Sequence, residues 1–335
     1  MDASGRRSGQ LSVTILDVAK TANVSAATVS RALHRPHMVD PSTRERICGV
    51  ASTLGYTPNR MAQALVKRRT GTIAVVASDL ANLSCPEVMR GAQRAAADRG
   101  LAALSLYGGS DVADELGLVH NVIGHVDGIV LCGSHLSDDQ IRGIRNSTPL
   151  VVVGRDVPGF PSVRFDHSSG IRCAVDHLVA LGHRTVCYVG RRSDRVARLL
   201  AQTVCEQAHV ELIEVDVADA NFYSGQGAAF SVTGCGATAV LAHNDVIAAG
   251  LINGLVAQGI CVPGQISVVG RGDVPLAYMT SPALTTISVP RREAGIAAVE
   301  MLQLMITGAD IQADVSPIPT GLVVRQSTGA APLAP

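Results

Sequence analysis

The chain has 335 residues, 47% of them hydrophobic and 3% aromatic, and its 28 basic side chains equal its 28 acidic side chains in number. So much apolar content excludes a mainly disordered protein, and the length allows about two to three domains. The sequence contains no run of about 18 apolar residues that could span a membrane and no signal-peptide core after Arg6 and Arg7, so we expect a cytoplasmic protein. A net charge of zero also argues against nucleic acid as a partner.

The charge is distributed unevenly between two parts of the chain, which reverses that last inference. Residues 1–70 contain 11 basic and 4 acidic side chains, a net charge of +7. The other 265 residues contain 17 basic and 24 acidic side chains, a net charge of −7. This asymmetry favours a small basic module on a larger acidic body. The eight cysteines include no CxxC pair, so we expect small buried side chains rather than disulfides or a metal site.

Residues 14–33 predict two short helices joined by a tight turn. Thr14, followed three residues later by Asp17, fits a capping box at the start of the first helix. Asn23 favours a break after this helix, because asparagine tolerates the left-handed conformation that a tight turn needs. Ser25 is the expected N-cap of the second helix.

The second helix has a small, polar outer face. Its outward residues are Ala26, Ala27, Thr28, Ser30 and Arg31. A third helix is expected from Asp40-Pro41 to Gly55. The first two helices then form a helix-turn-helix, in which small side chains let the second helix approach the major groove and Arg31 reaches a guanine edge or a phosphate. The alternative is an ordinary three-helix bundle with a basic surface.

Residues 13–76 resemble the DNA-binding headpiece and hinge of the LacI/GalR family of bacterial transcription regulators. The resemblance rests on the DVAxxAxVSxxTVSRxL core, the LGYxPN segment and the basic hinge after it. It implies a homodimer that places one recognition helix in each half of a palindromic operator in double-stranded DNA. The residues that would contact DNA are Thr14, Ser25, Ala26, Ala27, Thr28 and Arg31 in the headpiece and Asn59, Ala62 and Leu65 in the hinge.

The resemblance gives the hinge a specific role. The segment at about residues 59–66 would become helical on operator DNA, and Leu65 would be the side chain that wedges into the minor groove and kinks the duplex. Such a wedge is exposed in the free protein, and a short isolated helix is only marginally stable, so folding on DNA is expected. The alternative is a linker leucine that packs on the body.

After Gly71, apolar β-rich runs alternate with amphipathic helices, which predicts doubly wound parallel sheets. The predicted strands are Ile73–Ser78, Ala103–Tyr107, Gly128–Cys132, Leu150–Gly154, Ser162–Phe165, Val186–Val189, Leu212–Val215, Ala239–Ala242 and Ile266–Gly270. The predicted helices include Glu87–Arg99, Ile171–Leu181 and Asp245–Gln258. So many strands favour two lobes with a cleft between them, and ligands in such folds bind outside the carboxyl ends of the strands.

The sequence contains none of the common enzyme motifs. GxGxxG at a helix start, GxxxxGK[ST], GxSxG and HExxH are all missing, and the only lysines, Lys20 and Lys67, lie in the basic segment. His177 and His183 have the wrong spacing for a metal pair on one helical face, and His183 is expected in a helix C-terminal cap beside Gly182. We therefore expect no catalysis, no cofactor and no metal.

The body resembles the effector-binding domain of the same family, which is itself similar to periplasmic sugar-binding proteins. The resemblance covers nearly all of residues 71–328 and is best in segments such as TAVLAHNDVIAAG and LVVRQST. It implies a small-molecule effector in the cleft between the lobes. The residues that would bind it are Ser84, Cys85, Arg155, Arg198, Phe222, Asn244 and Asp273. The alternative for each is a surface ion pair or a loop cap.

Several positions depart from the family pattern. The common GFDD reads Gly270-Arg271-Gly272-Asp273, so the first acid is lost, and NPF with a following aromatic reads Asn82-Leu83-Ser84-Cys85. An aromatic platform and an acid that sugar recognition uses are therefore missing, and Phe222 is the main stacking face left. Either the effector is not a typical sugar or ligand sensing has weakened.

The predicted fold class is α/β, with a small all-α helix-turn-helix headpiece and a two-lobed, doubly wound effector domain like that of periplasmic binding proteins. The expected divisions are a disordered tail at 1–11, the helix-turn-helix at 12–58, a hinge helix and linker at 59–70, and the effector-binding and dimerisation domain at 71–330. We predict a homodimeric repressor with no membrane partner. The alternatives are a regulator with a vestigial cleft, a doubly wound enzyme, or a periplasmic-type binding protein, which the basic headpiece opposes.

Overall fold

The computed structural model describes residues 13–56, 69–78, 83, 85–109, 111–145, 148–309 and 316–332. The chain divides into two compact units, residues 1–70 and residues 71–335. Within the described ranges, no helix is both long enough and apolar enough to cross a membrane.

The first unit is a headpiece of three short helices. They are α1 (Ile15–Thr21), α2 (Ala26–His34) and α3 (Pro41–Leu54), with one 3-10 turn at Pro36–Met38. All three contribute to one small core, which consists of Val18, Ala19, Ala22, Val29, Ala32, Ile47 and Ala51. One apolar side of each helix therefore faces this core. Helix α3 begins at the predicted Asp40 cap and ends at Gly55, whose φ of 68° is left-handed.

The first lobe of the body is a five-stranded parallel sheet in the order β2-β1-β3-β4-β5. Its strands are β1 (Thr72–Ala77), β2 (Ala102–Tyr107), β3 (Gly128–Cys132), β4 (Leu150–Val153) and β5 (Ser162–Val163). Its helices are α4 (Cys85–Asp98), α5 (Val112–Val122) and α6 (Asp138–Arg145). Both faces of the sheet are covered, since α4 packs on one face while α5 and α6 pack on the other. The strands are therefore almost continuously apolar.

The second lobe has a six-stranded sheet in the order β13-β11-β10-β9-β7-β8, in which only β13 runs antiparallel to its neighbour. Its strands are β7 (Thr185–Arg191), β8 (Glu211–Val217), β9 (Ala239–Ala242), β10 (Ser267–Gly272), β11 (Thr285–Ser288) and β13 (Gly321–Val323). Its helices are α7 (His167–Ala180), α8 (Arg195–Gln207), α9 (Phe222–Gly234), α10 (Asp245–Ala257) and α11 (Leu276–Met279). Helices α7 and α8 cover one face, and α9 and α10 the other.

The chain crosses between the lobes after β11. Helix α12 (Arg291–Thr307) follows that strand of the second lobe but packs against α4 in the first lobe. Their backbones meet at Gly91 and Gly295, where an added Cβ would lie 2.0 Å from the carbonyl oxygens of Arg292 and Val88. A small pairing of β6 (Phe165–Asp166) with β12 (Ile318–Pro319) lies outside both large sheets.

The predicted alternation of strands and helices is confirmed, and Gly128–Cys132 and Ala239–Ala242 agree at both ends. Strand β11 is not among the predicted strands, because only one of its four residues is apolar. Thr285 and Thr286 are buried, but their hydroxyls have partners, Thr328 at 3.0 Å and the Asp245 carboxylate at 2.5 Å. A polar segment can therefore form an interior strand when long-range partners satisfy it.

His183, one of the two histidines excluded as a metal pair, has a structural role. The backbone N–H of His183 closes the end of α7 by donating to the carbonyl of Leu178 at 3.0 Å, beside Gly182 with its left-handed φ of 94°. The buried ring of His183 bonds the hydroxyls of Thr238 and Ser267 at 2.8 and 3.1 Å. The predicted cap is therefore confirmed. Among the described residues, no group of three or more His, Cys, Asp or Glu side chains could hold a metal ion.

Candidate DNA-binding helix and effector cleft

The first candidate site is helix α2, whose entry is fixed by local caps. The hydroxyl of Ser25 accepts a hydrogen bond from the backbone N–H of Thr28 at 3.1 Å. At the start of α1, the backbone N–H of Thr14 donates to the Asp17 carboxylate at 2.8 Å. The backbone N–H of Asp17 donates to the Thr14 hydroxyl, and the two bonds together form the predicted capping box. Asn23 in the turn has a φ of 51°. The local predictions for the helix-turn-helix are therefore confirmed.

The outer face of α2 is narrower than the sequence predicted. Ser25, Ala27 and Arg31 are exposed. Ala26 is half-buried and packs against the headpiece core, because it lies one turn before the buried Val29. Thr28 is also half-buried, and its hydroxyl lies 2.8 Å from that of Ser25. The expectation that Ala26 points away from the core is therefore corrected.

The structure describes one of the remaining predicted DNA contacts, and the other three lie outside the described residues. Thr14 is exposed at the start of α1. Asn59, Ala62 and Leu65 lie outside the described residues, as does Ser84 of the predicted effector set. The hinge helix and its wedge therefore stay predictions.

The second candidate site is the edge of the body at which the parallel strands end, where loops from both lobes converge. Arg291 lies between the lobes at this edge. Its guanidinium donates to the carbonyl oxygen of Gly272 in the second lobe at 2.5 Å. Burial lowers the pKa of Arg291, and Cys85 and Cys132 of the first lobe lie within electrostatic range of it. Cys85 itself is buried, with its sulfur 3.9 Å from the carbonyl oxygen of Cys132.

Three predicted effector residues lie at the same end of the second lobe. Asn244 caps α10, and its amide nitrogen donates to the carbonyl of Ala220 at 3.3 Å, close to Phe222 at the start of α9. The start of α10 is in turn hydrogen-bonded to the chain that follows β10, which contains Asp273. Asp273 has a left-handed φ of 54° and accepts a hydrogen bond from Arg325 at 2.6 Å. The fold therefore gathers Phe222, Asn244 and Asp273 around one helix N-terminus.

The two predicted effector arginines are already paired within their own lobes. Arg155 forms an ion pair with Asp138 in the first lobe. Arg198 forms ion pairs with Glu214 and with Asp216, the latter at 2.6 Å, in the second lobe. Both charges are therefore neutralised by protein carboxylates, which is the alternative that the sequence left open.

A buried polar cluster at the same edge was missed by the sequence analysis. The ring of His243 lies between the Tyr188 hydroxyl at 2.9 Å, the Asp194 carboxylate at 3.3 Å and the guanidinium of Arg271 at 3.3 Å. Arg271 also donates from Nε to the carbonyl oxygen of His243 at 2.9 Å. Because a guanidinium can only donate, Nε2 of His243 is the acceptor and its proton is on Nδ1, facing Tyr188 and Asp194.

Burial keeps the histidines of this edge neutral. Desolvation, followed by the charge of Arg271, lowers the pKa of His243 to about 4. The same two causes lower the pKa of His167, the first residue of α7, to about 4. Burial also raises the pKa of Tyr188 to about 12. At neutral pH the rings of this cluster are therefore neutral, beside the charges of Arg271 and Asp194.

One sequence signal could have found this cluster. His243 directly follows a predicted strand, and Arg271 replaces the aromatic of the family pattern at the end of another. The rule that ligand sites lie beyond the carboxyl ends of parallel strands points to both positions. The sequence could not show that they meet, because 28 residues separate them along the chain.

Comparisons with known proteins match both units. A family model for bacterial regulatory proteins of the lacI family matches residues 14–59, and a model for a periplasmic binding protein-like domain matches residues 175–328. The transcriptional repressor CytR of Escherichia coli strain K12 is 30% identical to this chain, over 96% of this chain and 98% of the repressor. Catabolite control protein A of Priestia megaterium is 27% identical, over 95% of this chain and 100% of that protein.

A solved structure agrees over a similar length. The lac repressor dimer bound to operator and the anti-inducer ONPF has a TM-score of 0.85 and 28% identity, over 95% of this chain and 100% of the repressor chain. The match includes the headpiece as well as both lobes of the body.

Proposed function

This chain belongs to the lacI family of bacterial regulatory proteins and is a DNA-binding transcriptional regulator; on that premise we propose that it is a cytoplasmic repressor that binds a palindromic operator as a homodimer. We further propose that a small molecule bound between the lobes of the body changes its affinity for DNA. Such a linkage is typically a coupling free energy of about 1–3 kcal/mol. No catalytic step forms part of this function.

The observation that carries the DNA-binding proposal is the outer face of α2. A capped helix presents Ser25, Ala27 and the exposed side chain of Arg31 on one side, while Val29 and Ala32 hold the opposite side in the headpiece core. Small side chains let the backbone approach base edges, and an arginine can bond guanine through two N–H groups. Ser25, Ala27 and Arg31 are the headpiece residues that we propose to contact DNA, with Thr14 as a phosphate contact.

An exposed apolar surface supports the homodimer. Tyr223 and Phe230 on α9 are 79% and 80% exposed, and Val256 on α10 is 53% exposed. The amide of Gln226 on α9 donates to Asn253 on α10 at 2.7 Å, which joins these two helix faces into one surface. A contiguous exposed apolar surface is typical of a protein–protein interaction site. We propose that this surface meets a second copy of the chain.

Selection from a random pool of duplex DNA tests the DNA-binding proposal. The full chain is expected to enrich one palindrome whose half-sites are separated as a two-fold dimer requires. A Tyr223→Asp, Phe230→Asp double variant should weaken the dimer and select only single half-sites. Enrichment of no sequence above background would contradict the proposal.

Calorimetric titration of small metabolites into the full chain tests the effector proposal. Binding should change the affinity for the selected operator, and the metabolite should be recovered unchanged after incubation. A ligand that binds without altering operator affinity would point to a vestigial cleft, and a converted metabolite would favour an enzyme.

A further inference from the structure

Two arginines at the carboxyl edge of the second lobe, Arg271 and Arg291, have no carboxylate partner among the described residues. The other arginines of this edge, Arg191, Arg198 and Arg325, each have a carboxylate oxygen within 4.0 Å. Arg271 and Arg291 instead donate to the neutral carbonyl oxygens of His243 and Gly272. Their charges therefore lack the pairing that the neighbouring arginines have.

Among the described residues, the carboxylates within electrostatic range of Arg271 and Arg291 do not balance these charges. Asp194 acts on Arg271, but Arg191 already neutralises it at 2.9 Å. Asp245 acts on both Arg271 and Arg291. Even with Asp245 counted as a full negative charge, the described part of the chain leaves the two arginines with one positive charge in excess.

Both arginines are half-buried, so this excess charge is only partly hydrated. Burial lowers the pKa of both Arg271 and Arg291. His167 and His243 remain neutral beside them and add no charge. A desolvated cation without a partner is unfavourable, so the site gains free energy when an anion enters.

Each arginine keeps N–H groups that make no hydrogen bond to another described residue. Nη1 of Arg271 and Nε and Nη2 of Arg291 have no hydrogen bond within the described part of the chain, and none of these atoms is wholly buried. Close by, Nδ1 of His167 is buried and has no partner among the described residues. The cleft therefore offers several unused donors on two guanidiniums and one unused ring nitrogen.

Two glycines flank Arg271 where the end of β10 passes the Asp245 carboxylate. A Cβ added at Gly270 would lie 2.3 Å from one oxygen of the Asp245 carboxylate, and one added at Gly272 would lie 2.9 Å from the other. A side chain at position 270 or 272 would therefore require the Asp245 carboxylate to move. With Arg271 between these positions, this end of β10 contributes a positive charge to the cleft.

We propose that the effector of this cleft is a small anion, a metabolite whose carboxylate or phosphate group is bound between Arg271 and Arg291. The planar fork of a guanidinium matches the two oxygens of either group, and such bonds are stronger than those to a neutral hydroxyl. The proposal rests on the proposed function, since it names the chemistry of the ligand for the same cleft.

Inorganic phosphate is the minimal probe for this site. The thermal midpoint of the full chain is measured in rising phosphate against chloride at equal ionic strength, so that general salt effects cancel. Phosphate should raise the midpoint with a saturable dependence. A matched series of ribose, ribonate and ribose 5-phosphate then separates a neutral ligand from a carboxylate and from a phosphate.

Paired variants assign the effect to the two arginines. Arg271→Gln and Arg291→Gln should each weaken binding of the anionic probes by about 10- to 100-fold, because each loses charge-assisted hydrogen bonds. Arg291→Lys keeps the positive charge and should retain part of the affinity. This result would show that the loss in Arg291→Gln does not come from misfolding. Arg292→Gln is the matched control, since that neighbouring arginine is 56% exposed and paired with Glu87, and it should bind as the natural chain does.

The outcomes separate this proposal from the proposed function. Stabilisation by anions that depends on Arg271 and Arg291 supports the proposal, and the preferred member of the series names carboxylate or phosphate. Equal binding of ribose and its anions, or no response to phosphate, overturns it while leaving operator binding intact. Anion binding by a chain that selects no operator would instead reject the proposed function.

Discussion

The substitution Gly250→Ala should destabilise the second lobe, because α9 and α10 touch through their backbones at glycines. A Cβ at position 250 would lie 2.0 Å from the carbonyl oxygen of Phe222 and 3.0 Å from the backbone nitrogen of Gln226. Gly225 makes the reciprocal contact, with its Cβ 2.2 Å from the carbonyl oxygen of Ile247. Neither neighbour is a side-chain end that could rotate away, so the helices themselves must separate.

The magnitude follows from two opposing effects. Overpacking of a well-packed interior typically costs about 1–3 kcal/mol of unfolding free energy. A clash with rigid backbone should cost about 3 kcal/mol, the upper end of this range. Alanine is a better helix former than glycine by about 1 kcal/mol. The net loss in free energy of unfolding should therefore be about 2 kcal/mol. At Gly117 in α5, where a Cβ meets nothing within 4 Å, only the second effect applies, and Gly117→Ala should gain about 0.5–1 kcal/mol.

Urea denaturation at one protein concentration measures both variants against the natural chain. Because α9 begins at Phe222 and α10 follows the Asn244 cap, Gly250→Ala should also weaken effector binding more than Gly117→Ala does. A Gly250→Ala chain as stable as the natural one would refute the close packing from which the magnitude is derived.

The other predictions concern DNA and pH. Arg31→Ala should relax the preference at one operator base by about 1–3 kcal/mol, measured by competition with single-base operator variants. The control Arg46→Ala on α3 should leave the preference unchanged. An unaltered preference in Arg31→Ala would contradict the role assigned to Arg31. Leu65→Ala should reduce operator bending in a gel-shift bend assay while non-specific binding stays, and an equal bend angle would contradict the wedge. Since the folded-state pKa values of His167 and His243 are lowered from 6.5 to about 4, the unfolded chain binds more protons between these values, so stability should fall as the pH drops below 6.5. The free energy of unfolding should fall by about 2 kcal/mol per histidine at pH 5. In His243→Gln, urea titrations at pH 7 and pH 5 should show a loss that is smaller by the contribution of this histidine. An unchanged pH dependence would argue against a buried neutral ring.

Much of the fold could be predicted because its signals are local. The caps at Thr14, Ser25 and Asp40 act on backbone groups two or three residues away, and the structure contains all three bonds. The strands Gly128–Cys132 and Ala239–Ala242 are buried on both faces, so their apolar runs stand out in the sequence. Strand β11 was missed because Thr285 and Thr286 depend on partners about 40 residues distant.

The candidate site could be predicted only in part, because its electrostatics are long-range. A capped helix with Arg31 on its outer face follows from local sequence, since helical period and caps decide which side chains point outward. The sequence could not decide which arginines of the cleft are free. Only the tertiary structure pairs Arg198 with acids 16 and 18 residues away and leaves Arg271 and Arg291 without carboxylates among the described residues. A charge is neutralised by what the fold brings within a few ångströms, and distance along the chain does not determine that.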